Sequence, residues 1–165
     1  VRTMDIDSIG NLKRLSYIFE SKDTIYDNLS IEKSINNNLY VIKAKNNKVG
    51  ILKVGQNRMS VIARTIYDNY QISNEHTLLT QNGKSCIVIN NNSQRISKEI
   101  TFPYGSTFED EYSDFVYMGK DKNTWFLYSN YIFNENGEIY RLPSNAYINI
   151  NEDGSIILNL SLIHI

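Results

Sequence analysis

The stretch TIYDN, Thr24-Ile25-Tyr26-Asp27-Asn28, returns letter for letter as Thr65-Ile66-Tyr67-Asp68-Asn69, 41 positions further on. A divergent third copy, Thr107-Phe108-Glu109-Asp110-Glu111-Tyr112, starts 42 positions after the second. In all three, a large apolar residue follows the Thr and an Asp stands three places after it. Each copy leads into an apolar segment, a polar turn and a second apolar segment, with Lys48, Lys84 and Asn123 at the matching place in the turns. Self-similarity near forty residues with several strands per unit belongs to stacked β-arrays. The reason is energetic: a unit of three or four strands buries too little apolar surface alone and needs neighbours to cover it.

The segments between the repeats are short and bounded by Asn, Gly, Lys and Asp, a strand-and-turn pattern. LYVIKA (39–44) and VGILKV (49–54) flank Lys45-Asn46-Asn47-Lys48, and TLLT (77–80) and CIVI (86–89) flank Gln81-Asn82-Gly83-Lys84. FVYM (115–118) and TWFLYS (124–129) flank a turn at 119–123, and YIF, EIYRL, AYINI and SIIL follow, parted by Asn-Gly, Pro-Ser-Asn and Asp-Gly turns. Asn-Gly and Asp-Gly tolerate the positive φ that tight hairpins demand, and Tyr, Ile, Val, Phe and Thr favour strands. At the start, TMDID and LKRLSYIF flank a turn at 8–11, and Ser16–Leu29 carries no clean helical stripe. Pro103 and Pro143 stand where strands should end. The expected fold is all-β: tandem repeats of short antiparallel strands forming a β-propeller arc or an open β-repeat array. It forms one domain over 1–159, with units near 24–64, 65–106 and 107–148. Three units are fewer than a closed propeller needs, so a piece of a larger ring or array is expected.

Composition narrows the function classes. The chain of 165 residues is 41% hydrophobic and 21% charged, enough apolar side chain for a packed core. A net charge of −1 and a pI near 6.2 provide no basic field for nucleic acid. No apolar run approaches the roughly 20 residues of a membrane span. Cys86 is the one cysteine, which excludes an internal disulfide framework and a multi-Cys metal site. The closing hexapeptide Leu160–Ile165, LSLIHI, resembles the translated end of a sequencing adapter. The expectation is a scar, the alternative an apolar last strand. Heavy use of Asn, Ile, Lys and Tyr suggests an AT-rich bacterial genome. The compartment stays open, with a cell-surface or secreted setting preferred.

The repeat unit resembles the WG-repeat family of bacterial proteins, whose units run strand, Asn-Gly-Lys-Trp-Gly, strand, turn and Tyr-Asp. Asn47-Lys48-Val49-Gly50-Ile51 and Asn82-Gly83-Lys84-Ser85-Cys86-Ile87 stand where the Asn-Gly-Lys-Trp-Gly stretch would be, and Tyr26-Asp27 and Tyr67-Asp68 where the Tyr-Asp would be. The match covers roughly 23–127. The Trp-Gly pair is nowhere intact: Val49-Gly50 keeps the Gly, Ser85-Cys86 keeps neither, and Trp125, the sole Trp, precedes Phe126. The family carries no agreed catalytic residues. The resemblance therefore implies structural roles for these positions and nothing more, while the repeat itself marks Thr24, Tyr26, Asp27, Thr65, Tyr67, Asp68, Thr107 and Asp110 as structural.

Chemistry-bearing residues are few. Asp27, Asp68 and Asp110 could be ligand-facing carboxylates, but a side chain copied into every unit reads better as a turn anchor that accepts backbone N–H bonds. Glu109, Asp110, Glu111 and Asp114 form the densest acidic cluster, suited to glycoside acid–base work or a hard cation, and more simply a solvated loop. Residues 134–138 and 151–154 have faint calcium-loop spacing, but their flanks are strands and they read as hairpin turns. His76, the one histidine outside the closing hexapeptide, has no adjacent carboxylate to orient it, and Cys86 lies among apolar residues. The expectation is a non-catalytic module with no cofactor and no metal. Among 12 tyrosines, Tyr104, Tyr112, Tyr117 and Tyr128, with Trp125, gather near the acidic loop and form the candidate binding surface. The expected partner is a protein or peptide. A glycan is the alternative, a glycoside-active enzyme the third class, and oligomeric state is left open.

Overall fold

The computed structural model describes residues 15–18, 25–56, 59–103, 115–121, 123–143, 146–150 and 156–160. It is all-β, with no helix among the described residues. Strands β1 (Leu15–Ile18), β2 (Ile25–Ser34), β3 (Leu39–Lys43), β4 (Val49–Val54) and β5 (Met59–Tyr67) form one antiparallel sheet in sequence order. A second contains β6 (Asn69–Ile72), β7 (His76–Gln81), β8 (Ser85–Asn90) and β9 (Ile100–Thr101). A third contains β10 (Val116–Asp121), β11 (Asn123–Tyr128), β12 (Tyr131–Asn134) and β13 (Ile139–Arg141), and β14 (Ala146–Ile150) pairs with β15 (Ile156–Leu160). None of the sheets closes into a barrel. Leu160 therefore pairs with Ala146 as part of a strand, whereas 161–165 lie outside the described residues.

Side chains alternate between faces with the two-residue period of a strand, and the first and middle sheets bury both faces. In the middle sheet, Leu79, Ile87 and Ile89 pack against Leu39, Val41, Val49, Ile51 and Ala63 of the first. Leu78, Cys86, Val88 and Ile100 point the other way, with Phe102, onto Phe115, Phe126, Tyr128, Tyr131 and Phe133 of the third. Phe102 stacks on Tyr131 at 5.1 Å between ring centroids, and Phe115 on Phe126 at 5.3 Å. The far face of the first sheet is also buried, through Leu29, Tyr40, Ile42, Leu52 and Val61. This explains why β3, β4 and β8 read as continuous apolar runs instead of alternating ones.

The turns follow the expected chemistry. Asn47 and Gly137 take φ of 67° and 91°, and Asn82 and Gly83 take 52° and 65°, the left-handed region that Asn and Gly tolerate best. Asn134 anchors its turn by accepting bonds from the N–H groups of Asn136 and Glu138 at 3.0 and 3.1 Å. One sequence equivalence is not kept. The turns at Lys48 and Lys84 join the second and third strands of four-stranded runs β2–β5 and β6–β9, whereas the Asn123 turn joins the first and second strands of β10–β13. The 44–48 turn instead shares its bonds with 134–138: Ala44 N donates to Lys48 O and Asn134 N to Glu138 O. Hairpins of similar sequence can occupy different places in a meander, because a turn encodes only local backbone shape.

The chain changes strand partners near the first two copies of TIYDN. Along the first, β2 pairs with β1 up to Leu29 and with β3 from Ser30 onward. Along the second, Tyr67 pairs with Val49 on β4 and Asn69 with Thr80 on β7. The change falls just after the first copy and within the second. Residues 107–112, the third copy, lie outside the described residues. Only Asp68 separates β5 from β6, and such a link reaches at most about 7 Å. It cannot cross a sheet four strands wide, about 14 Å, so the two sheets meet at a shared corner.

Gly50 marks the tightest backbone approach. A Cβ there would meet Ala63 O at 2.4 Å and Arg64 C at 2.8 Å, both backbone atoms of β5. Gly50→Ala must therefore spread β4 from β5 and is expected to cost about 2 kcal/mol, read as a lower urea midpoint at unchanged slope. An unchanged midpoint would show that the β4–β5 pairing yields freely.

Candidate functional site

Asp68 acts across the fold, beyond its own turn. It accepts hydrogen bonds from the Lys48 ammonium, in the β3–β4 turn, and from the Asn82 N–H, in the β7–β8 turn. The corner residue thus ties together the two turns that the sequence placed in register. Burial would raise its carboxyl, but the Lys48 and Asn82 bonds and the Lys48 charge outweigh it and hold it below the usual range. In β5 itself, Thr65 is buried, and Tyr67 is half-buried on the core shared by the first and middle sheets. Thr24, Thr107 and Asp110 lie outside the described residues, and Tyr26 and Asp27 are described only as backbone of β2.

The proposed aromatic surface divides. Tyr128 is 6% exposed and belongs to the core beside Phe102, because odd and even positions of β11 face opposite ways and Phe126 and Tyr128 share the inner face. Tyr117 is 39% exposed and stacks on His76 at 5.1 Å. Trp125 is half-buried on the opposite face of the third sheet and stacks on Tyr140 at 6.1 Å, with 29° between the rings. Tyr104, Tyr112 and the acidic group Glu109, Asp110, Glu111 and Asp114 lie outside the described residues.

Trp125 sits in a groove of about 490 Å³ lined by Met118, Gly119, Lys120, Trp125, Ile132 and Tyr140. Its geometry comes from a bulge between Tyr117 and Gly119, which places Gly119 directly opposite Trp125. Gly119 takes φ of +116°, a conformation that excludes other residues, and a Cβ there would meet nothing within 4 Å. The floor beside the indole is therefore bare. Tyr140 is the most exposed large hydrophobic residue described, at 59%. Sequence reasoning missed Tyr140, Met118 and Ile132, because only the register of β10–β13 brings them beside Trp125.

A second cavity, about 470 Å³, opens between the middle and third sheets. Buried His76 lines it. Burial lowers the imidazole pKa, and the Glu75 and Glu135 carboxylates only partly offset this. Cys86 is buried and its thiol is pushed well up, first by burial and then by Glu99, as expected of inert packing. No group of three or more His, Cys, Asp or Glu among the described residues could hold a metal ion. No helix among the described residues is long and apolar enough to cross a membrane.

Comparison with protein-family models, with curated proteins and with solved structures finds no match.

Two titrations follow. His76 has a depressed folded pKa, so its contribution is whole above the unfolded value, about 6.5, and is lost as pH falls from there through the lower folded pKa. The urea midpoint should drop between pH 7 and 5, and His76→Gln should flatten this part of the curve. Asp68 is also depressed, so its contribution is lost at lower pH, below the usual carboxylate range. Asp68→Asn should cost about 1 kcal/mol at pH 7 and little once the carboxyl is protonated. A cost independent of pH would remove the charge from the explanation.

Proposed function

We propose that the chain is a non-catalytic binding module built as an open array of β-sheets, and that the groove around Trp125 takes an apolar side chain of a protein or peptide partner. The single observation behind this is the exposed Trp125–Tyr140 stack over the bare Gly119 backbone. Trp and Tyr offer large, rigid contact area at small entropic cost, and with Met they are enriched at protein interfaces. The lining favours a peptide over a glycan. A sugar platform needs polar side chains to grip hydroxyls, and here Lys120 and the Tyr140 hydroxyl are the polar side-chain groups beside Trp125.

The one-residue corner at Asp68 supports an open array over a propeller arc. A radial blade must return its chain across its full width to start the next blade, and this link is too short to do so. The strand-partner changes near both TIYDN copies, with the Asp68 bonds to Lys48 and Asn82, support tandem repetition of the kind the WG-repeat resemblance implies.

Selection from a phage-displayed random peptide library should yield sequences with a recurring aromatic or aliphatic anchor. Their binding should shift Trp125 emission and weaken about tenfold or more in Tyr140→Ala. Glycan-array binding that is lost in the same variant, with no peptide selected, would transfer the groove to the carbohydrate reading. Selected peptides indifferent to both Trp125→Ala and Tyr140→Ala would remove the groove from the function.

A further inference from the structure

The cavity between the middle and third sheets has a chemistry unlike that of the Trp125 groove. Arg95, Lys98 and Lys120 line it, with one carboxylate, Glu135. None of the three cations forms an ion pair among the described residues; the ion pairs found there are Lys43–Glu32 and Lys48–Asp68. Ser93, Asn90, Thr124 and Asn136 add polar lining, and Val88, Ile96 and Phe126 supply an apolar wall. His76, 5% exposed, contributes an imidazole whose Nδ1 is buried without a hydrogen-bond partner. Such an atom costs on the order of 1–3 kcal/mol unless something satisfies it.

The cations sit on a pre-shaped support. Arg95 and Lys98 belong to the 91–98 loop, which is stitched down at many points. Asn90 N donates to Arg95 O at 2.9 Å, and Gln94 N donates to Asn90 O at 2.8 Å with Gln94 at φ of 64°. Buried Asn91 receives the Thr77 hydroxyl at 2.7 Å and donates to Ser73 O at 2.9 Å. Ser97 N donates to Val88 O at 2.8 Å, its hydroxyl accepts from Val88 N at 2.9 Å, and Lys98 N donates to Glu135 O of the third sheet at 3.1 Å. A loop already fixed loses little entropy when its side chains close on a ligand.

We infer that this cavity is a binding site for a small phosphomonoester, its anionic group held by Arg95, Lys98 and Lys120 and its apolar body lying against Ile96 and Phe126. Arg and Lys are the side chains that hold phosphate best, through charge-assisted bonds. About 470 Å³ exceeds what a bare oxyanion needs and falls within the range of organic ligand sites. The site shares Lys120 with the peptide groove, and its other lining residues are distinct.

Calorimetric titration of the whole chain with phenyl phosphate, inorganic sulfate and phenol tests the assignment. Phenyl phosphate should bind saturably, sulfate more weakly, and phenol not at all. Arg95→Gln and Lys98→Gln, which leave the peptide groove untouched, should each weaken phenyl phosphate binding about tenfold, the loss of one charge-assisted bond. Lys45→Gln, in an exposed turn of the first sheet, should leave it unchanged, with thermal melting confirming the fold of all three variants. The carbon-bound proton resonances of the His76 ring should move on titration with phenyl phosphate and stay still with phenol. Absence of saturable phenyl phosphate binding, equal binding of phenol, or indifference to Arg95→Gln and Lys98→Gln together would overturn the site.

Discussion

The middle sheet, β6–β9, carries apolar side chains on both faces, and much of the fold answers that condition. Leu79, Ile87 and Ile89 on one side and Leu78, Cys86 and Val88 on the other are each at most 6% exposed. Full burial of such a side chain is worth on the order of 2 kcal/mol, so a sheet of this size left bare on either side would forfeit much of a domain's net stability. The first and third sheets supply the two covers. The first sheet shows the same property, since its far face is buried as well. Stacking is thus a requirement set by the composition of the strands.

Stacking needs a connection that turns the chain from one layer to the next without a long loop. Asp68 provides it. One residue joins β5 to β6, and its carboxylate is gripped by the turns of both layers, through Lys48 and Asn82. A carboxylate bonded on both sides of a corner resists opening, because each layer can move only by breaking a charge-assisted bond. Asp68, which the sequence suggests as a turn anchor, thus also clasps two layers together.

Where stacking stops, chemistry is left over. The outer face of the third sheet keeps Trp125 and Tyr140 in an accessible groove. At one end of its inner face, the two sheets part around His76 and the 91–98 loop. The first place is apolar and open, the second cationic and walled. A bulge forms one and a tightly bonded loop forms the other, and both are irregularities superimposed on regular strands.

Much of the strand map was legible in the chain itself. The hairpins β3–β4, β7–β8, β10–β11 and β14–β15 follow from apolar runs broken by Asn, Gly and Asp, because turn geometry is a local property. The long strand β5, the partner change along β2 and the short β9 were not, since their identity depends on which neighbour they pair with. The same holds for the aromatic residues. Tyr117, Trp125 and Tyr128 are one cluster in sequence, yet the two-residue period and the bulge at Gly119 send Tyr128 to the core, Tyr117 onto His76 and Trp125 to the outer face. Composition and spacing determined that this protein is made of β-hairpins too thin to stand alone. Which side chains remained outside was decided only by strand register and sheet stacking, because burial is a property of contacts between segments far apart in the chain.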